Sequence, residues 1–524
     1  TTPDVGGGFG MKAFMYPEYF AVACAARLLC RPVRWMGTRS EAMLNDNAGR
    51  DLVTEASLAL AADGRITALR VDTVCNIGAY NSLFAQNIQT VLAQKVITGC
   101  YDIPRTAMAV RGVFTNTAPV DAYRGAGRPE GIYIIERLID AASRTLDLDP
   151  FEFRKRNFIR PEQLPYQNFA DETIDVGNFA RVLDRSVAEA DVAGFSTRRK
   201  EAEARKRLRG LGLCYYIETI LGDPDETTEI VFANDGRVDM MVGTQSNGQG
   251  HETAYAQILH ERSGIPFDRI RVVQGDSDKI PAGGGTGGSR SVTTQGTSIN
   301  ATADTIIEAM TPFAAECLEG GTAIFEDGAY HVPGMNRFMT LLEVGQEAIR
   351  QGRRDLVSTR VTSTIRDKSF PNGAHLCEVE IDPETGHCDV VRYTVVDDLG
   401  VLINPMLVRG QIHGGVVQGI GQALHEHVVF DESGQLLTAS FMDYAIPRAS
   451  GLPFIEFHSE PTPSLNNPIG MKGCGEAGTI GALAAVTNAV LDALWDEGVR
   501  NIQMPLTPNR IWEYLQKTQS HPVA

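Results

Sequence analysis

The chain has 524 residues, more than one hydrophobic core usually organises, so we expect at least two domains. Its 65 acidic residues outnumber its 48 basic residues and give a net charge of −17, which argues against a nucleic-acid or anionic-membrane partner, since both require positive surface. No apolar run approaches the roughly 18 residues of a membrane helix and no signal peptide opens the chain, so no membrane span is expected.

Alternating apolar residues on both sides of turn sequences predict three β-hairpins. The turns are Ala61-Ala62-Asp63-Gly64, Asn234-Asp235-Gly236 and Asp382-Pro383-Glu384-Thr385-Gly386. The paired strands are expected at 53–60 with 66–74, at 229–233 with 238–242, and at 376–381 with 389–396. Strands therefore occur in both halves of the chain.

Helical periodicity follows three glycine-rich loops. Apolar residues recur at helical spacing after Pro129, around Tyr255 and after Glu476. A helix that starts at a glycine-rich loop presents backbone amides that can bind an anion. Each loop alone could equally be a tight turn, but several such loops together favour one large, extended anionic ligand.

The basic stretch Arg198 to Arg209 is the clearest change of composition along the chain. We interpret it as a solvated linker helix rather than a nucleic-acid patch, because Glu201 and Glu203 interrupt the positive charge. The main domain boundary is expected nearby, between residues 160 and 190.

Several familiar motifs are incomplete. Gly283, Gly285 and Gly288 satisfy G-x-G-x-x-G, but neither a preceding strand nor an opening helix is evident, which argues against a dinucleotide fold. His251-Glu252 lacks the second histidine of a zinc protease, since Tyr255 stands there. The nine cysteines include no Cys-x-x-Cys pair, which argues against zinc and iron–sulfur sites in this chain and favours a reducing cytoplasm.

Glu476 is the carboxylate of greatest interest. It lies in Lys472-Gly473-Cys474-Gly475-Glu476-Ala477-Gly478, at the start of a predicted helix. A carboxylate in that place is often only a helix cap or a dipole partner. The flanking glycines, however, would let a bulky group approach it closely. Both interpretations remain open on these residues alone.

Six segments resemble, in order, the motifs of the molybdenum hydroxylases, the superfamily of xanthine oxidase, aldehyde oxidase and carbon monoxide dehydrogenase large subunits. They are residues 6–12, 122–130, 243–253, 287–291, 410–415 and 472–476. The resemblance covers nearly the whole chain and implies an α+β fold of two elongated mixed α/β molybdenum-cofactor-binding domains, with the cofactor at their interface. We expect residues 1–170 to be the remainder of the first domain and 171–524 to be the second.

The resemblance also implies a molybdenum–molybdopterin cytosine dinucleotide cofactor, in which the pterin dithiolene holds the metal and no protein side chain does. Glu476 would be the catalytic base. Substrate would lie near Arg124, Gly125 and Ala126. The residues implied to bind the cofactor are Gly8, Phe9, Gly10, Arg124, Gln249, Gly250, His251, Ser289, Arg290, Ser291, Gln411, Lys472 and Gly475.

Three departures from the family pattern matter. Gly125 follows Arg124 where carbon monoxide dehydrogenases have a copper-binding cysteine, which argues against CO oxidation. Ala13 follows Lys12 where xanthine oxidases have a purine-binding glutamate. The chain begins at Thr1 without a methionine, so we expect a fragment or a processed chain, with another chain or segment supplying the family's N-terminal domain.

The resemblance implies an oxidoreductase that hydroxylates a small N-heteroaromatic or aldehyde substrate. Electrons would leave through a partner subunit with 2Fe-2S clusters and, in some members, an FAD subunit. The alternative is a non-catalytic cofactor-binding paralogue or scaffold, for which loss of the catalytic glutamate would be the sign.

Overall fold

The computed structural model describes residues 1–520 and contains helices and sheets throughout that range. The α-helices are α1 Pro17–Leu29, α2 Arg39–Asn45, α3 Ala85–Asn87, α4 Arg128–Thr145, α5 Pro150–Asn157, α6 Phe179–Glu189, α7 Phe195–Ala204, α8 His251–Ser263, α9 Ser291–Cys317, α10 Leu341–Arg350, α11 Arg354–Val357, α12 Pro405–Leu424, α13 Ala477–Leu494 and α14 Pro508–Ser520. The strands are β1 Leu52–Leu60, β2 Ile66–Gly78, β3 Thr106–Phe114, β4 Tyr166–Gln167, β5 Thr173–Ile174, β6 Leu208–Ile217, β7 Asp225–Phe232, β8 Val238–Val242, β9 Ile270–Val273, β10 Ile324–Glu326, β11 Ala329–His331, β12 Phe338–Thr340, β13 Ser358–Thr364, β14 Asn372–Ile381, β15 Cys388–Asp398 and β16 Ile455–Ser459.

Three sheets organise most of the chain. The first has the strand order β1-β2-β3, with β1 antiparallel and β3 parallel to β2. The second has the order β13-β7-β8-β9, and the third has the order β16-β15-β14-β6. All three predicted hairpins are confirmed as the antiparallel pairs β1 with β2, β7 with β8, and β14 with β15.

The largest hydrophobic core lies where α13 packs on β6. Two glycines of β6 make this close approach possible: a Cβ on Gly210 would lie 2.1 Å from the carbonyl oxygen of Ala489, and one on Gly212 would lie 2.0 Å from that of Ala485. The same core includes residues on both sides of position 170, such as Ile135 of α4 and Val490 of α13. The two predicted domains therefore share a continuous core, and the boundary at 170 stays a prediction.

A second core lies between the β13-β7-β8-β9 sheet and helices α8 and α9. The sequence analysis missed α9, which is 27 residues long and begins just after Gly288. Its first half is rich in threonine and serine, and three of their hydroxyls donate to carbonyls four residues back, as Thr294 does to Arg290 at 3.0 Å. Such residues have a low helix propensity, so the sequence pattern did not predict this helix. With α9, a fourth helix starts at a glycine-rich loop.

The expected solvated linker helix at 198–209 is wrong in part. Helix α7 ends at Ala204, and Arg209 belongs to strand β6. The five arginines of this stretch form ion pairs, and Arg198 and Arg209 both donate to Glu378, at 2.6 Å each. The positive charge thus fastens α7 to the neighbouring β14 strand.

Helix α13 is long and apolar enough, by length and composition, to cross a membrane, and 94% of the relevant window is buried inside the protein. The sequence has no uninterrupted apolar run of this length here, and the burial of α13 is typical of a core helix. Thr479, Thr487 and Asn488 interrupt the apolar run, although the mean hydropathy of the helix remains high.

The contact between α13 and β6 predicts a stability effect. We expect Gly212→Ala to destabilise the protein by about 1–3 kcal/mol, because the added methyl would overlap the Ala485 carbonyl in a closely packed core. Thermal unfolding by calorimetry measures the effect. Gly321→Ala is the control, since a Cβ there meets no atom within 4 Å; equal melting temperatures for both variants would contradict the packing described.

Candidate active site

A cavity of about 1200 Å³ lies where the glycine-rich loops converge. Its walls include residues of the segments 6–13, 122–128, 243–254, 284–293, 399–411 and 471–476. These six segments include residues from both predicted domains. All but one of the site residues named from the sequence line this cavity.

The exception is Gly250. It is the residue before α8, with φ +82°, and a Cβ there would lie 2.7 Å from a methyl carbon of Leu407. Its lack of a side chain therefore permits packing against α12 behind the cavity wall. Gly250 is the one predicted cofactor residue that does not line the cavity.

The first glycine loop is held between two other loops. The amide of Gly7 donates to the carbonyl of Asn247 at 3.0 Å, and the amide of Arg124 donates to the carbonyl of Phe9 at 2.9 Å. Gly10 has φ +104°, and a Cβ there would lie 2.3 Å from the carbonyl oxygen of Ala122. Only glycine can lie so close to another backbone at this position. The contact holds Gly8, Phe9 and Gly10 at the cavity.

Arg124 joins loops that are far apart in sequence. Its Nε donates to the Gly475 carbonyl at 2.7 Å, its Nη1 donates to the Gln418 side chain at 3.0 Å, and its Nη2 donates to the Gln411 carbonyl at 3.0 Å. The guanidinium also lies over the Phe9 ring, 5.4 Å from its centroid. Burial lowers the pKa of Arg124, and the nearby charge of Glu476 opposes that shift.

Gln249 and His251 form a short polar chain along the cavity. Burial lowers the pKa of His251 to about 4, so its ring is neutral at pH 7. The His251 Nδ1–H donates to the Thr244 carbonyl at 3.0 Å, which leaves Nε2 to accept from the Gln249 amide at 3.1 Å. The Gln249 oxygen accepts from the Asn247 amide at 2.6 Å, so two partners, Asn247 and His251, set the orientation of the Gln249 side chain.

Arg290 and Lys472 line the cavity but are committed to internal ion pairs. The Arg290 Nη2 donates to Glu226 at 2.9 Å, and its Nη1 donates to the Gly285 carbonyl at 2.9 Å. The Lys472 Nζ donates to Asp398 at 2.8 Å, with both side chains fully buried. Through these ion pairs and hydrogen bonds, both cations hold the neighbouring glycine loops in place. Ser291, next to Arg290, is the first residue of α9.

Glu476 does not act as a helix cap. It occupies the N-cap position of α13, yet its side chain makes no capping hydrogen bond. Instead, the Ser289 hydroxyl donates to the Glu476 carboxylate, and the Arg128 Nη2 lies 3.9 Å from its Oε1. The carboxylate is 13% exposed and faces the cavity. The hydrogen-bonded helix cap is therefore excluded, whereas an interaction of the carboxylate with the dipole of α13 is compatible with its position.

Two charged residues near Glu476 escaped the sequence analysis. Arg128 is buried, donates from Nε to the Gly125 carbonyl at 2.7 Å, and donates from Nη1 to Glu218 at 2.7 Å. Glu218 immediately follows the last residue of β6. The sequence signal for Glu218 was a charged residue directly after a strand that is largely buried. The sequence could not show that Arg128 is its partner.

Comparison with known proteins identifies the family. Residues 1–158 and 186–453 each match a model of the molybdopterin cofactor-binding domain. The chain is 35% identical to the carbon monoxide dehydrogenase large chain of Hydrogenophaga pseudoflava over 98% of its length, and 35% identical to the nicotine 6-hydroxylase large subunit of Paenarthrobacter nicotinovorans over 97%. Its structure matches quinoline 2-oxidoreductase from Pseudomonas putida 86 with a TM-score of 0.93 and 35% identity, covering 98% of this chain and 68% of that chain.

The chain belongs to the molybdopterin cofactor-binding family. The resemblance drawn from six short segments and the α+β, two-domain fold class are both confirmed. The chain spans about two thirds of the length of these curated relatives, 67% and 65%. Glu476 lies beyond the second matched segment, which ends at residue 453.

The cavity fits a molybdopterin. Its volume exceeds the roughly 300–1,000 Å³ typical of drug-sized ligands, as an extended pterin dinucleotide requires. A Cβ on Gly6, Gly285 or Gly287 would meet no protein atom within 4 Å, although all three glycines line the cavity. Their missing side chains therefore leave open space that a ligand can occupy, unlike that of Gly10, which serves internal packing.

The open space beside Gly287 predicts a specific defect in cofactor binding. We expect Gly287→Leu to reduce the molybdenum and nucleotide content of the purified protein at least tenfold, because the side chain would extend into the cavity. Its melting temperature in the cofactor-free form should be unchanged, since no atom lies within 4 Å of the new Cβ. Gly321→Leu, at an open position outside the cavity wall, is the control. A full complement of molybdenum in Gly287→Leu would show that the cofactor does not lie there.

Proposed function

We propose that this chain is the molybdenum-cofactor-binding subunit of a hydroxylase, with Glu476 as the catalytic base. Its substrate is an N-heteroaromatic ring or an aldehyde, water supplies the oxygen atom, and the electrons pass to an iron–sulfur partner subunit. The observation that carries the proposal is the Glu476 carboxylate, which makes no helix cap and faces a cavity large enough for the cofactor. A scaffold without catalysis would have no use for such a group.

The bound cofactor, which we propose to be molybdenum–molybdopterin cytosine dinucleotide, supplies two-electron oxidation at a metal held by the pterin dithiolene. The chain supplies positions and a base. Residues proposed to contact the cofactor are Gly8, Phe9, Gly10, Gln249, His251, Ser289, Ser291, Gln411 and Gly475, all of which line the cavity. Arg124, Arg290 and Lys472 hold these segments in place through the hydrogen bonds described above.

The chemical task of Glu476 is to accept a proton at its carboxylate. The side chain keeps contact with solvent through its 13% exposure, and the Arg128 Nη2 lies 3.9 Å from its Oε1. The Ser289 hydroxyl orients the carboxylate. Positioned proton transfer of this kind typically contributes 10²–10⁴-fold to a rate.

The cavity also has apolar character suited to a flat substrate. Phe9, Phe84 and Val91 line it and expose 49%, 39% and 50% of their surface. Ala126 lines the cavity close to Arg124, whereas Gly125 leaves no open space, because a Cβ there would lie 2.2 Å from Pro129. No cysteine follows that arginine to bind copper. These features favour an aromatic substrate over CO, and Ala13 in place of a glutamate argues against xanthine-type purine recognition.

Partner composition is part of the proposal. No Cys-x-x-Cys pair occurs in the sequence, so the electron-accepting 2Fe-2S clusters belong to a partner subunit, with an FAD subunit in addition. The nine free cysteines of the structure support a reducing, cytoplasmic location.

Metal and nucleotide analysis of the purified complex tests the cofactor and partners together. We expect molybdenum, CMP released by acid, and a small iron–sulfur chain detected by mass spectrometry. A complex made with an intact molybdenum supply and its natural partners should contain all three. If it contained neither molybdenum nor nucleotide, the scaffold alternative would replace the hydroxylase.

Substitution of the base tests the catalytic role. We expect Glu476→Gln to keep its molybdenum content but to lower kcat by about 10²–10⁴-fold, because the amide cannot accept the proton. Turnover is measured with quinoline and benzaldehyde as probes and a dye as electron acceptor. Glu497→Gln, at an exposed position outside the cavity, is the matched control. Near-normal turnover in Glu476→Gln would rule out this base.

A further inference from the structure

Glu218 is a fully buried carboxyl group beside the proposed catalytic base. The Arg128 Nη1 donates to its Oε1 at 2.7 Å, and the Nη2 of the same guanidinium lies 3.9 Å from Oε1 of Glu476. The side chains of Glu218 and Arg128 are 0% and 2% exposed. One guanidinium therefore lies between two carboxyl groups.

The second oxygen of Glu218 has no donor. Among the described residues, Oε2 of Glu218 is buried and makes no hydrogen bond. An ionised carboxylate in this position would leave a buried, unpaired oxygen next to a second negative charge, which is costly in a water-poor environment. A protonated carboxyl instead carries its own donor, and the neighbouring Glu476 carboxylate can accept from it.

We propose that Glu218 is a positioning residue that holds a proton at neutral pH and shares it with Glu476, so that the two carboxyl groups carry one negative charge beside Arg128. This assignment rests on the role proposed for Glu476. It extends that role because Glu218 fixes the base through a hydrogen bond and determines the pH range in which the pair has this charge.

The surrounding groups favour the protonated form. Burial raises the pKa of Glu218 to about 8; the Arg128 guanidinium and the nearby Ser289 hydroxyl lower that pKa, while the charge of Glu476 and a hydrogen bond with it raise it. Burial also raises the pKa of Cys474 to about 12 and raises that of Tyr216, so both neighbours stay neutral at pH 7.

Arg124 is a second cation near the pair, and its charge interacts with both carboxyl groups. It also faces the pair, but it donates to the carbonyl oxygens of Gly475 and Gln411 and to the Gln418 side chain. Arg128 is thus the one cation that both carboxyl groups contact in the described part of the chain.

The proposal has a consequence for the pH dependence of turnover. Below about pH 8 Glu218 keeps its proton, so its carboxyl donates to the ionised Glu476. Above that pH the proton is lost, two negative charges face each other, and the hydrogen bond that fixes the base disappears. We therefore expect turnover to fall on the alkaline side.

Infrared spectroscopy of the purified holoenzyme complex tests the proton directly and requires no turnover. A carbonyl band of a protonated carboxyl should be present at neutral pH, disappear as the pH rises through about 8, and be absent in Glu218→Gln. Burial also raises the pKa of Glu426, so Glu426→Gln serves as the matched control and should leave the Glu218 band in place. Absence of a Glu218 band from the wild-type spectrum at neutral pH would overturn the proposal.

The pH profile of kcat distinguishes positioning from a merely structural role. With quinoline or benzaldehyde as probe, Glu218→Gln should lower kcat by a few fold and abolish the alkaline decline, because the neutral amide donates but cannot ionise. Glu218→Leu should lower kcat by about 100-fold, since it removes the donor. An unchanged alkaline decline in Glu218→Gln would also refute the shared proton. Failure of the catalytic proposal itself would show up separately, as normal turnover in Glu476→Gln.

Discussion

The guanidinium of Arg124 holds together loops that are distant in sequence but meet at the cavity. It donates to the segment that ends in Glu476 and to two glutamines of α12, while its own backbone amide binds the first glycine loop. Each of these hydrogen bonds is charge-assisted or made in a buried environment, where such bonds are strong and unpaired groups are costly. Arg124 thus links the segment that carries Glu476, the proposed base, to the other loops that line the cavity. Arg124 therefore positions these segments, in addition to the substrate contact that the family resemblance implies.

The glycines of this protein serve two different purposes. Gly10, Gly210 and Gly212 lack side chains because another part of the protein fills the space, as the overlap distances for an added Cβ show. Gly6, Gly285 and Gly287 lack side chains although the space beside them is open. Only the second group indicates a ligand directly. A count of glycines in the sequence cannot separate the two purposes, because the difference depends on whether another part of the protein packs against the glycine.

Much of the fold followed from sequence patterns that depend on local periodicity. The hairpin β14-β15 and the helix α13 have strong alternating or helical signals, so their presence was predicted. Helix α9 was missed because its hydroxyl-rich first half bonds to its own backbone, and the paired arginines of 198–209 were misread because their partner Glu378 is distant in sequence. At the site, Glu476 was identified through its motif, whereas Arg128 and Glu218 meet only through the tertiary fold. Local patterns predict elements and motifs, but not which charges face one another.

The guanidinium nearest to Glu476 makes its short contact with another carboxyl group. An isolated buried carboxylate would tend to become protonated, and one held by a strong ion pair would be a poor proton acceptor. Here Arg128 lies 3.9 Å from Glu476, beyond hydrogen-bond distance, while it binds Glu218 at 2.7 Å. The short contact of Arg128 is thus made with the neighbour, and Glu476 has a more distant guanidinium and the Ser289 hydroxyl as its partners. Among the described residues, the carboxylate proposed as the base therefore makes no short ion pair, which would oppose the proton transfer proposed for it.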